Sequence, residues 1–539
     1  MGNLLSNLGN LSGIPATLLT ASVTYFITQL FTQFLWRNKN PDGSLKSPWA
    51  PSPSSLPYIW NGLQEYQLKG SKALTQWANE AGDFFSVKLG QRRMLVLNNG
   101  PLVHQVLVVK DQLNSSKNVF GNVEVHMTDN GKTVFTAPFS LYWSRLRRSI
   151  AYAISTTKAS WFQQLFEEQS EKLLHSIEQA SDKEGQVNGK QLRGLVDMVA
   201  LDTSLHMIMQ QSNVDPEIMV EIIDKMQELE QLQESNWLQY CIFGIPLVQA
   251  VHGIKTVLFG DLSVRTRNFI LNHFINWTLL DQKDNNEEEK EKDNAKELSS
   301  SPQFTSLLSN IQPSKNDPTP EQLQREDIII NLMHLTLHSH KYLSTCLFNI
   351  IQRLATLPEW QEKLIDQPLY AEAFVKECLR YDPPARVFTR GTRADHDLEI
   401  HSQTYRVDDD SELVVNLDKI HFDQNYYSQP NTFDPERFLT KDRTSLLKPS
   451  SQSKTTVSIL DENPNHLPAH DHLAFGVGRR FCQGSRVSEQ FLINFILILV
   501  KTYSFKGGNT DRVHRSTGIW GWTGREEMIG TSITFKRKN

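Results

Sequence analysis

One short segment near the carboxyl terminus constrains this chain more than any other, because glycine, arginine and cysteine recur in it at close spacing. From Ala474 to Gly484 it reads AFGVGRRFCQG. Its glycines permit tight turns and let the backbone approach a large flat ligand closely. An apolar helical pattern follows from about Ser485 to Val500. Cys482 is therefore predicted to lie at a helix N-terminus, where backbone amides stabilise a thiolate.

Cysteine is rare in the rest of the chain. The 539 residues contain four cysteines, with no CxxC pair and no tight cluster: Cys241, Cys346, Cys378 and Cys482. This usage argues against a disulfide framework or a cysteine-based zinc site and favours a reducing compartment. The net charge of -5 at pH 7, without a concentrated basic stripe, gives no support for a nucleic-acid partner.

The cysteine segment resembles the haem loop of the cytochrome P-450 family, F-x-x-G-x-R-x-C-x-G. Every fixed position is matched, by Phe475, Gly478, Arg480, Cys482 and Gly484. The resemblance implies that Cys482 is the axial thiolate ligand to the iron of haem b, a ligation that favours O–O cleavage, and that Arg480 pairs with a haem propionate. A buried structural cysteine in a glycine turn is the alternative. Gln483 departs from the family, which usually has a small or apolar residue there.

Two arginines and a glutamate match two further motifs of the family. Glu377 and Arg380 match E-x-x-R, and Arg437 lies in FDPERF, the segment 433–438. An i, i+3 pair shares one helix face, and a buried carboxylate there needs a cation. The resemblance implies that the three residues form a structural Glu–Arg–Arg cluster that supports the haem loop.

A third motif, W-x-x-x-R, is matched by Trp143 and Arg147. Their spacing of four places both on one helix face, and the resemblance implies that both contact haem propionates. By family position Arg390 is a further propionate candidate. Because the motifs follow the family's order, the resemblance covers nearly the whole chain.

The family's oxygen-activation motif, [AG]-G-x-[DE]-T-T, is not matched. It is expected near residues 338–343, where this chain reads HSHKYL, with Lys341 at the acid position and Tyr342 at the threonine position. In the family this pair relays protons during oxygen activation, which requires a positioned donor. The candidate substitutes for the relay are Ser339, His340 and Ser344.

Several functions remain open beside a monooxygenase. Some family members without the acid–threonine pair rearrange peroxides without a reductase, so an isomerase or dehydratase acting on a hydroperoxide is one alternative. A membrane-tethered haem-binding protein without catalysis is another. His334 and His338 have the i, i+4 spacing of zinc ligands. No glutamate lies between them and no carboxylate third ligand is apparent, so a zinc hydrolase is disfavoured.

An apolar pocket over the haem is implied by the family, because oxidation of C–H bonds requires the exclusion of water. The aromatic candidates for its walls are Phe135, Phe243, Phe388, Trp520 and Trp522. They indicate a lipophilic substrate, although each also suits core packing. A eukaryotic microsomal, fungal-like member would take electrons from NADPH through a membrane-bound reductase. The basic residues Arg145, Arg148 and Arg486 are candidates to meet such an acidic partner.

The amino-terminal region predicts a membrane anchor. Residues 11–36 carry no charge and are numerous enough to cross a hydrocarbon core of about 30 Å. Arg37 and Lys39 follow, so the positive-inside rule places the remaining chain in the cytosol, at the endoplasmic reticulum. A cleaved signal peptide, an interfacial helix and myristoylation of Gly2 are weaker alternatives. The predicted organisation is a lumenal N-terminus 1–10, an anchor 11–36, a basic and proline-rich hinge 37–57, and a catalytic domain 58–539 with a charged surface loop at 282–302.

The fold expected for the catalytic domain is mainly α, a cytochrome P-450 fold with a small discontinuous β portion and no internal repeat. The helical patterns are Trp161–Ala180, Lys190–Gln211, Pro216–Gln233 and Asp327–Thr356. The strand patterns are Phe84–Leu89, Arg93–Leu97, Leu398–Val407 and Glu412–Asn416.

Overall fold

The structure is a computed structural model, and all structural statements below concern the residues it describes. These are residues 24, 47–53, 65–66, 69–89, 92–118, 121–154, 159–211, 214–235, 261–288, 325–409, 411–439, 472–508, 511–515, 525–528 and 530–538.

Helices dominate this part of the chain. In chain order they are α1 (Ser71–Ala81), α2 (Gly100–His104), α3 (Asp111–Asn114), α4 (Gly121–Met127), α5 (Leu141–Ala153), α6 (Ala159–Ala180), α7 (Gly189–Met209), α8 (Pro216–Ser235), α9 (Leu262–Glu288), α10 (Arg325–Ala355), α11 (Pro358–Asp366), α12 (Tyr370–Tyr381), α13 (Leu417–Ile420) and α14 (Ser485–Thr502). A single π-helical turn, Gln105–Val109, joins α2 to α3, and 3-10 turns lie at Pro435–Phe438 and Gly478–Arg480.

The strands are short and form four small sheets. They are β1 (Phe84–Leu89), β2 (Arg92–Leu97), β3 (Gln186–Val187), β4 (Val387–Gly391), β5 (His396–Ile400), β6 (Gln403–Val407), β7 (Glu412–Asn416), β8 (Tyr503–Gly507), β9 (Arg512–Arg515), β10 (Arg525–Met528) and β11 (Ile533–Arg537). The orders are β1-β2-β7-β4, β3-β11-β8, β5-β6 and β9-β10. The prediction of a mostly helical fold with small, discontinuous sheets is confirmed.

Helix α10 is the centre of the helical part. It contains 31 residues, and from Ile329 to Ala355 almost all of them are buried. Its apolar residues join those of α5, α6, α7, α12 and α14 in one core cluster. Because burial on all sides stabilises a helix more than its intrinsic propensity does, α10 is a rigid wall against which other elements are positioned.

The largest sheet brings distant parts of the chain to the same place. Strand β7 pairs in parallel with β2 and antiparallel with β4, so Leu413 lies opposite both Leu95 and Arg390 in register. Gly391, the last residue of β4, forms a two-hydrogen-bond bridge with Ser116. The chain around Arg390 is thereby fixed beside the segment that follows α3.

Two expected boundaries change in the structure. Residues 47–53, placed in the hinge by their prolines, pack on the sheet: Ser86 N donates to Pro51 O at 2.7 Å, and Trp49 lies between the guanidinium groups of Arg93 and Arg406. The folded body therefore includes this segment, because main-chain bonds and cation–π contacts hold it. Helix α9 continues to Glu288, so residues 282–288 of the predicted surface loop 282–302 are helical. The rest of that loop lies outside the described residues.

The membrane anchor lies outside the described residues, apart from Thr24. Among the helices that the structure describes, none combines the length and the apolar character required to cross a bilayer. The anchor and the lumenal N-terminus remain predictions.

Candidate active site

The loop before α14 presents Cys482. Leu473 O accepts from Gly476 N, and Phe475 O accepts from Cys482 N, both at 2.9 Å. These bonds fold the loop back on itself just before the helix begins at Ser485. Gly478 has a φ of 67°, and a Cβ there would meet Leu107 O at 2.3 Å. A side chain at this position is therefore excluded by both conformation and space.

The Cys482 thiol is reachable by solvent although protein surrounds it. Its surface exposure is that of an exposed residue, yet burial raises the pKa of the thiol above its usual range. The Gly484 N–H and the charge of Arg147 act in the opposite direction. The thiol therefore meets solvent on one side and protein on the others. Because burial outweighs the favourable contacts, a nearby positive charge would be needed to favour the thiolate.

Four cationic side chains form a linked cluster, of which Arg147 acts on the Cys482 thiol. Burial lowers the pKa of Arg480 well below its ordinary value, and the charges of Arg390 and Arg147 lower it further. Burial and then Arg147 lower the pKa of Arg390 to about 10. Burial and then Arg390 lower the pKa of Lys117 to about 8. The carboxylate of Glu412 offsets part of this effect at Arg390 and Lys117, and cations desolvated in this way suit an anionic ligand with two carboxylates, such as haem.

Lys117 is the member of this cluster that no sequence motif indicated. Its ammonium group donates to Thr389 Oγ1 at 3.1 Å, and the bridge between Ser116 and Gly391 places it there. It lies far from Arg390 and Arg480 in the sequence. Only the pairing of Ser116 with the residue after Arg390 reveals its position.

Trp143 packs against two of the cations and donates its N–H to a main-chain carbonyl. Its Nε1–H is donated to Val134 O at 3.0 Å, and its indole is buried. The guanidinium carbons of Arg480 and Arg147 lie 4.7 and 5.4 Å from its ring centroid, within range of cation–π attraction. The direct contact of Trp143 with a propionate stays a prediction.

Arg147 also ties α5 to the cysteine loop. Its NH2 group donates to Phe481 O at 2.5 Å, and Gln483 Nε2 donates back to Arg147 O at 2.7 Å. The two hydrogen bonds flank Cys482 on both sides. Gln483, the departure from the family motif, therefore bonds to the helix.

The Glu–Arg–Arg cluster is assembled in the structure. Glu377 and Arg380 are completely buried and form a bidentate pair with both distances at 2.7 Å. Arg437 Nε lies 3.2 Å from the same carboxylate. Asp434 N also donates to it, at 2.8 Å. A buried carboxylate with two cations and a main-chain donor is well compensated, and it joins α12 to the segment before the cysteine loop.

One face of α10, called the cavity face below, is partly accessible although the rest of the helix is buried. Between Ile329 and Ala355 the partly accessible residues are Leu335, His338, Ser339 and Tyr342, whose spacing places them on one side of the helix. The His338 ring stacks on Phe135 with centroids 4.0 Å apart. Phe135 follows Val134, whose carbonyl contacts both Trp143 and Arg480. Val134 and Phe135 therefore connect this face of α10 with the cation cluster.

His338 is electrically neutral in this position. Burial lowers the pKa of its imidazole well below 6.5, and the charges of His334, Lys341 and Lys117 lower it further. At neutral pH the ring is thus a hydrogen-bonding group without charge.

The three candidate relay residues do not lie together. Ser339 is on the cavity face, whereas His340 and Ser344 contact an ion pair on α7. His340 Nε2 is 3.7 Å from Asp197 Oδ1, and Ser344 Oγ accepts from Arg193 at 3.2 Å. The helical period explains this, because residues 340 and 344 lie on one face and 338 and 342 on the next.

A zinc site is not formed by the histidines. His334 Nε2 bonds to Met127 O at 2.7 Å, and its ring centroid is 6.0 Å from that of His338. Within the described part of the chain, no group of three His, Cys, Asp or Glu side chains is placed to hold a metal ion.

The remaining predicted residues divide into three groups. Phe135 and Phe388 are partly buried, and Phe388 contacts the Arg390 guanidinium at 4.9 Å. Phe243, Trp520 and Trp522 lie outside the described residues. Among the basic surface candidates, Arg148 and Arg486 are exposed and Arg145 is partly exposed.

A solvent-reachable thiol and a cluster of buried cations suit a haem-thiolate site. Comparison with known proteins agrees. The family model for cytochrome P450 matches residues 50–519. This chain therefore belongs to the cytochrome P450 family and is an oxidoreductase of that type.

Relatives come from animals, plants and fungi. Cytochrome P450 1A3 of Oncorhynchus mykiss is 22% identical, with 90% of each chain covered. Protopine 6-monooxygenase of Eschscholzia californica is 23% identical, covering 93% of this chain and 92% of the relative. Cytochrome P450 monooxygenase 69 of Postia placenta is 21% identical over 85% of this chain and 83% of the relative. A zebrafish cytochrome P450 structure with abiraterone has a TM-score of 0.65 at 16% identity, covering 88% of this chain and all of that one.

Proposed function

We propose that this chain inserts one oxygen atom from O2 into a lipophilic organic substrate, with electrons supplied from NADPH through a reductase. The observation that carries the proposal is the accessible, desolvated thiol of Cys482 beside the cations Arg147, Arg390 and Arg480. When haem is bound there, its iron supplies the oxygen chemistry that a thiolate ligand favours. The cations would neutralise the haem propionates, and Trp143 keeps Arg147 and Arg480 in place by cation–π contact.

In this proposal the polar residues on the cavity face of α10 replace the acid–threonine pair that relays protons in the family. These residues are His338, Ser339 and Tyr342. Because the His338 ring is neutral, it accepts and donates hydrogen bonds but holds no additional proton. The hydroxyl groups of Ser339 and Tyr342 lie on the same face and are the groups that would bind water beside the ring and pass protons through it. Phe135, stacked on His338, shields one side of the ring from bulk water.

Membrane attachment and a reductase complete the proposal. The uncharged segment 11–36 supports an anchor in the endoplasmic reticulum membrane, with the catalytic domain in the cytosol. Arg148 on α5 and Arg486 on α14 are exposed, and both helices contact or carry the Cys482 loop. Exposed cations there suit an acidic electron donor.

A second function has one specific observation in its favour. The positions of the family's acid and threonine hold Lys341 and Tyr342. An isomerase or dehydratase that acts on a hydroperoxide needs neither external electrons nor the proton relay of oxygen activation. It therefore tolerates this replacement.

The first experiment is the carbon monoxide difference spectrum of the reduced, purified protein. A far red-shifted Soret band is expected for the wild type, and Cys482→Ser should abolish it. A histidine-type band that Cys482→Ser leaves unchanged would refute the haem-thiolate site.

The second experiment separates the two reactions. Product formation from a lipophilic substrate panel is measured with and without NADPH and reductase, and from hydroperoxides without them. Dependence on reductase supports the monooxygenase, and Arg148→Glu with Arg486→Glu should then raise the KM for reductase. Turnover of a hydroperoxide without electron donors would establish the alternative instead. Haem binding with neither turnover nor a substrate-induced spin shift would indicate a non-catalytic haem protein.

A further inference from the structure

His421 lies at the end of α13, outside every motif discussed above, and both nitrogens of its side chain are engaged. The residue is completely buried. Nδ1 lies 2.8 Å from Arg380 O, and Nε2 lies 3.0 Å from Leu473 N. A main-chain amide is always a donor. Nε2 must therefore accept from Leu473, which leaves the proton on Nδ1 to be donated to Arg380.

This imidazole connects two parts of the site. On one side Arg380 is the buried partner of Glu377, and its NH1 group donates to His421 O at 2.7 Å. On the other side Leu473 is the first residue of the folded loop, and its carbonyl accepts from Gly476 N. Arg380 of the cluster and Leu473 of the cysteine loop are 93 positions apart in the sequence, so no local interaction aligns them. His421 provides that alignment.

The surroundings keep the imidazole in its neutral form. Burial lowers the pKa of His421 well below 6.5, and His472, Arg380 and Arg386 lower it further. The ring of His472 is 6.3 Å away. A protonated ring would turn a second N–H toward the Leu473 amide and lose the hydrogen bond. The nearby positive charges thus keep the ring neutral, which preserves Nε2 as the acceptor for the Leu473 amide.

We infer that His421 is a positioning residue, which holds the Cys482 loop in register by accepting the Leu473 amide hydrogen. The inference rests on the proposed role of Cys482 as haem ligand. It assigns no contact between His421 and haem. The loop's own turn, Leu473 to Gly476, carries the constraint onward to Phe475, which bonds to the Cys482 amide.

Two amide variants separate this hydrogen bond from a general role in the core. His421→Gln retains an acceptor at the place of Nε2 and loses the Nδ1 donor. His421→Asn retains a donor at the place of Nδ1 and loses the acceptor, which leaves the Leu473 amide buried without a partner. The two side chains have the same chemistry and similar size, so each is the other's control.

The measurement is the rate at which the red-shifted carbon monoxide band converts to the ordinary haem band at fixed temperature and pH. An unsatisfied buried donor is expensive, so His421→Asn should convert roughly ten-fold faster than His421→Gln. Equal rates for the two variants, or a faster His421→Gln, would overturn the inference. If His421→Asn binds no haem, hydrogen exchange at residues 473–476 decides, because only the asparagine variant should lose protection. A wild type without any red-shifted band would refute the proposed function instead, before the variants are compared.

Discussion

Gln483 Nε2 donates to the main-chain oxygen of Arg147 at 2.7 Å, and this contact joins the residue after the cysteine to the middle of α5. Gln483→Leu should remove it without leaving a buried donor, since the leucine has none. One lost hydrogen bond of this kind costs about 1 kcal/mol, which corresponds to a roughly five-fold faster loss of haem.

Transfer of haem to an excess of apomyoglobin gives this rate. Gln164→Leu, at an exposed position on α6, is the matched control and should release haem like the wild type. The position of the carbon monoxide band should stay unchanged in both variants, because Cys482 is intact. Equal rates for the two leucine variants would contradict the importance of the contact.

Asn331 on α10 anchors the segment before α5. Its Oδ1 accepts from Val134 N at 2.8 Å, and its Nδ2 donates to Lys132 O at 3.1 Å. Asn331→Ala should leave a buried main-chain amide unsatisfied, at a cost of roughly 1–3 kcal/mol. Hydrogen exchange should accelerate in residues 128–137 and not in β1 or β2. Asn494→Ala, which removes only a contact with its own helix, should leave exchange in 128–137 unchanged.

Much of the scaffold follows from the sequence because its elements are dictated by local patterns. The patterns of β1 and β7 predict the observed bounds, since alternating or continuous β-branched residues end at polar turns. The strand pattern 398–407 resolves into the hairpin of β5 and β6. His401 and Ser402 form its turn with positive φ, a conformation that these residue types do not predict.

The site is only partly readable from the sequence, because motifs show identities and not directions. Cys482, Glu377 and Arg380 were found by spacing within a motif. Lys117 has no motif and enters the cation cluster through long-range strand pairing. His340 and His338 are two residues apart and equally polar, yet only His338 faces the cavity. The register of a buried helix against its neighbours decides this, and that register depends on tertiary packing.

Lys117 gives a pH prediction with a definite sign. In the haem-free protein its pKa is lowered from 10.5 to about 8. Between these values the unfolded chain binds more protons than the folded one, so stability contributed by this group rises with pH. Lys117→Met removes the effect. Urea unfolding of haem-free protein should show the wild type gaining stability relative to Lys117→Met as the pH rises from 8 to 10. A difference independent of pH would contradict the assigned environment.

Glu377 is predicted to be the most sensitive carboxylate on α12. Glu377→Gln leaves Arg380 buried without its anion, and breaking a buried pair in this way costs about 3–5 kcal/mol. Glu436, the neighbour of Arg437, pairs with Lys363 in an exposed contact. Glu436→Gln should cost less than about 1 kcal/mol. The free energies of unfolding in urea, measured for both variants, test the contrast, and similar losses would contradict it.

His338 should limit the size of ligand that the cavity accepts. Its ring stacks on Phe135 and occupies the cavity face of α10, so His338→Ala opens a space of about one aromatic ring. Imidazole and 4-phenylimidazole differ by such a ring, and both shift the Soret band when they bind haem. Burial of the additional apolar surface should improve the affinity for 4-phenylimidazole relative to imidazole by roughly ten-fold.

His340→Ala is the control, because it removes an imidazole two residues away that faces α7 and the Asp197 carboxylate. The affinity ratio of this variant should equal that of the wild type. If His340→Ala changed the ratio as much as His338→Ala, the helix would have the opposite register. The polar cavity face would then comprise His340 and Ser344, and the proton path would have to pass through the Arg193–Asp197 pair.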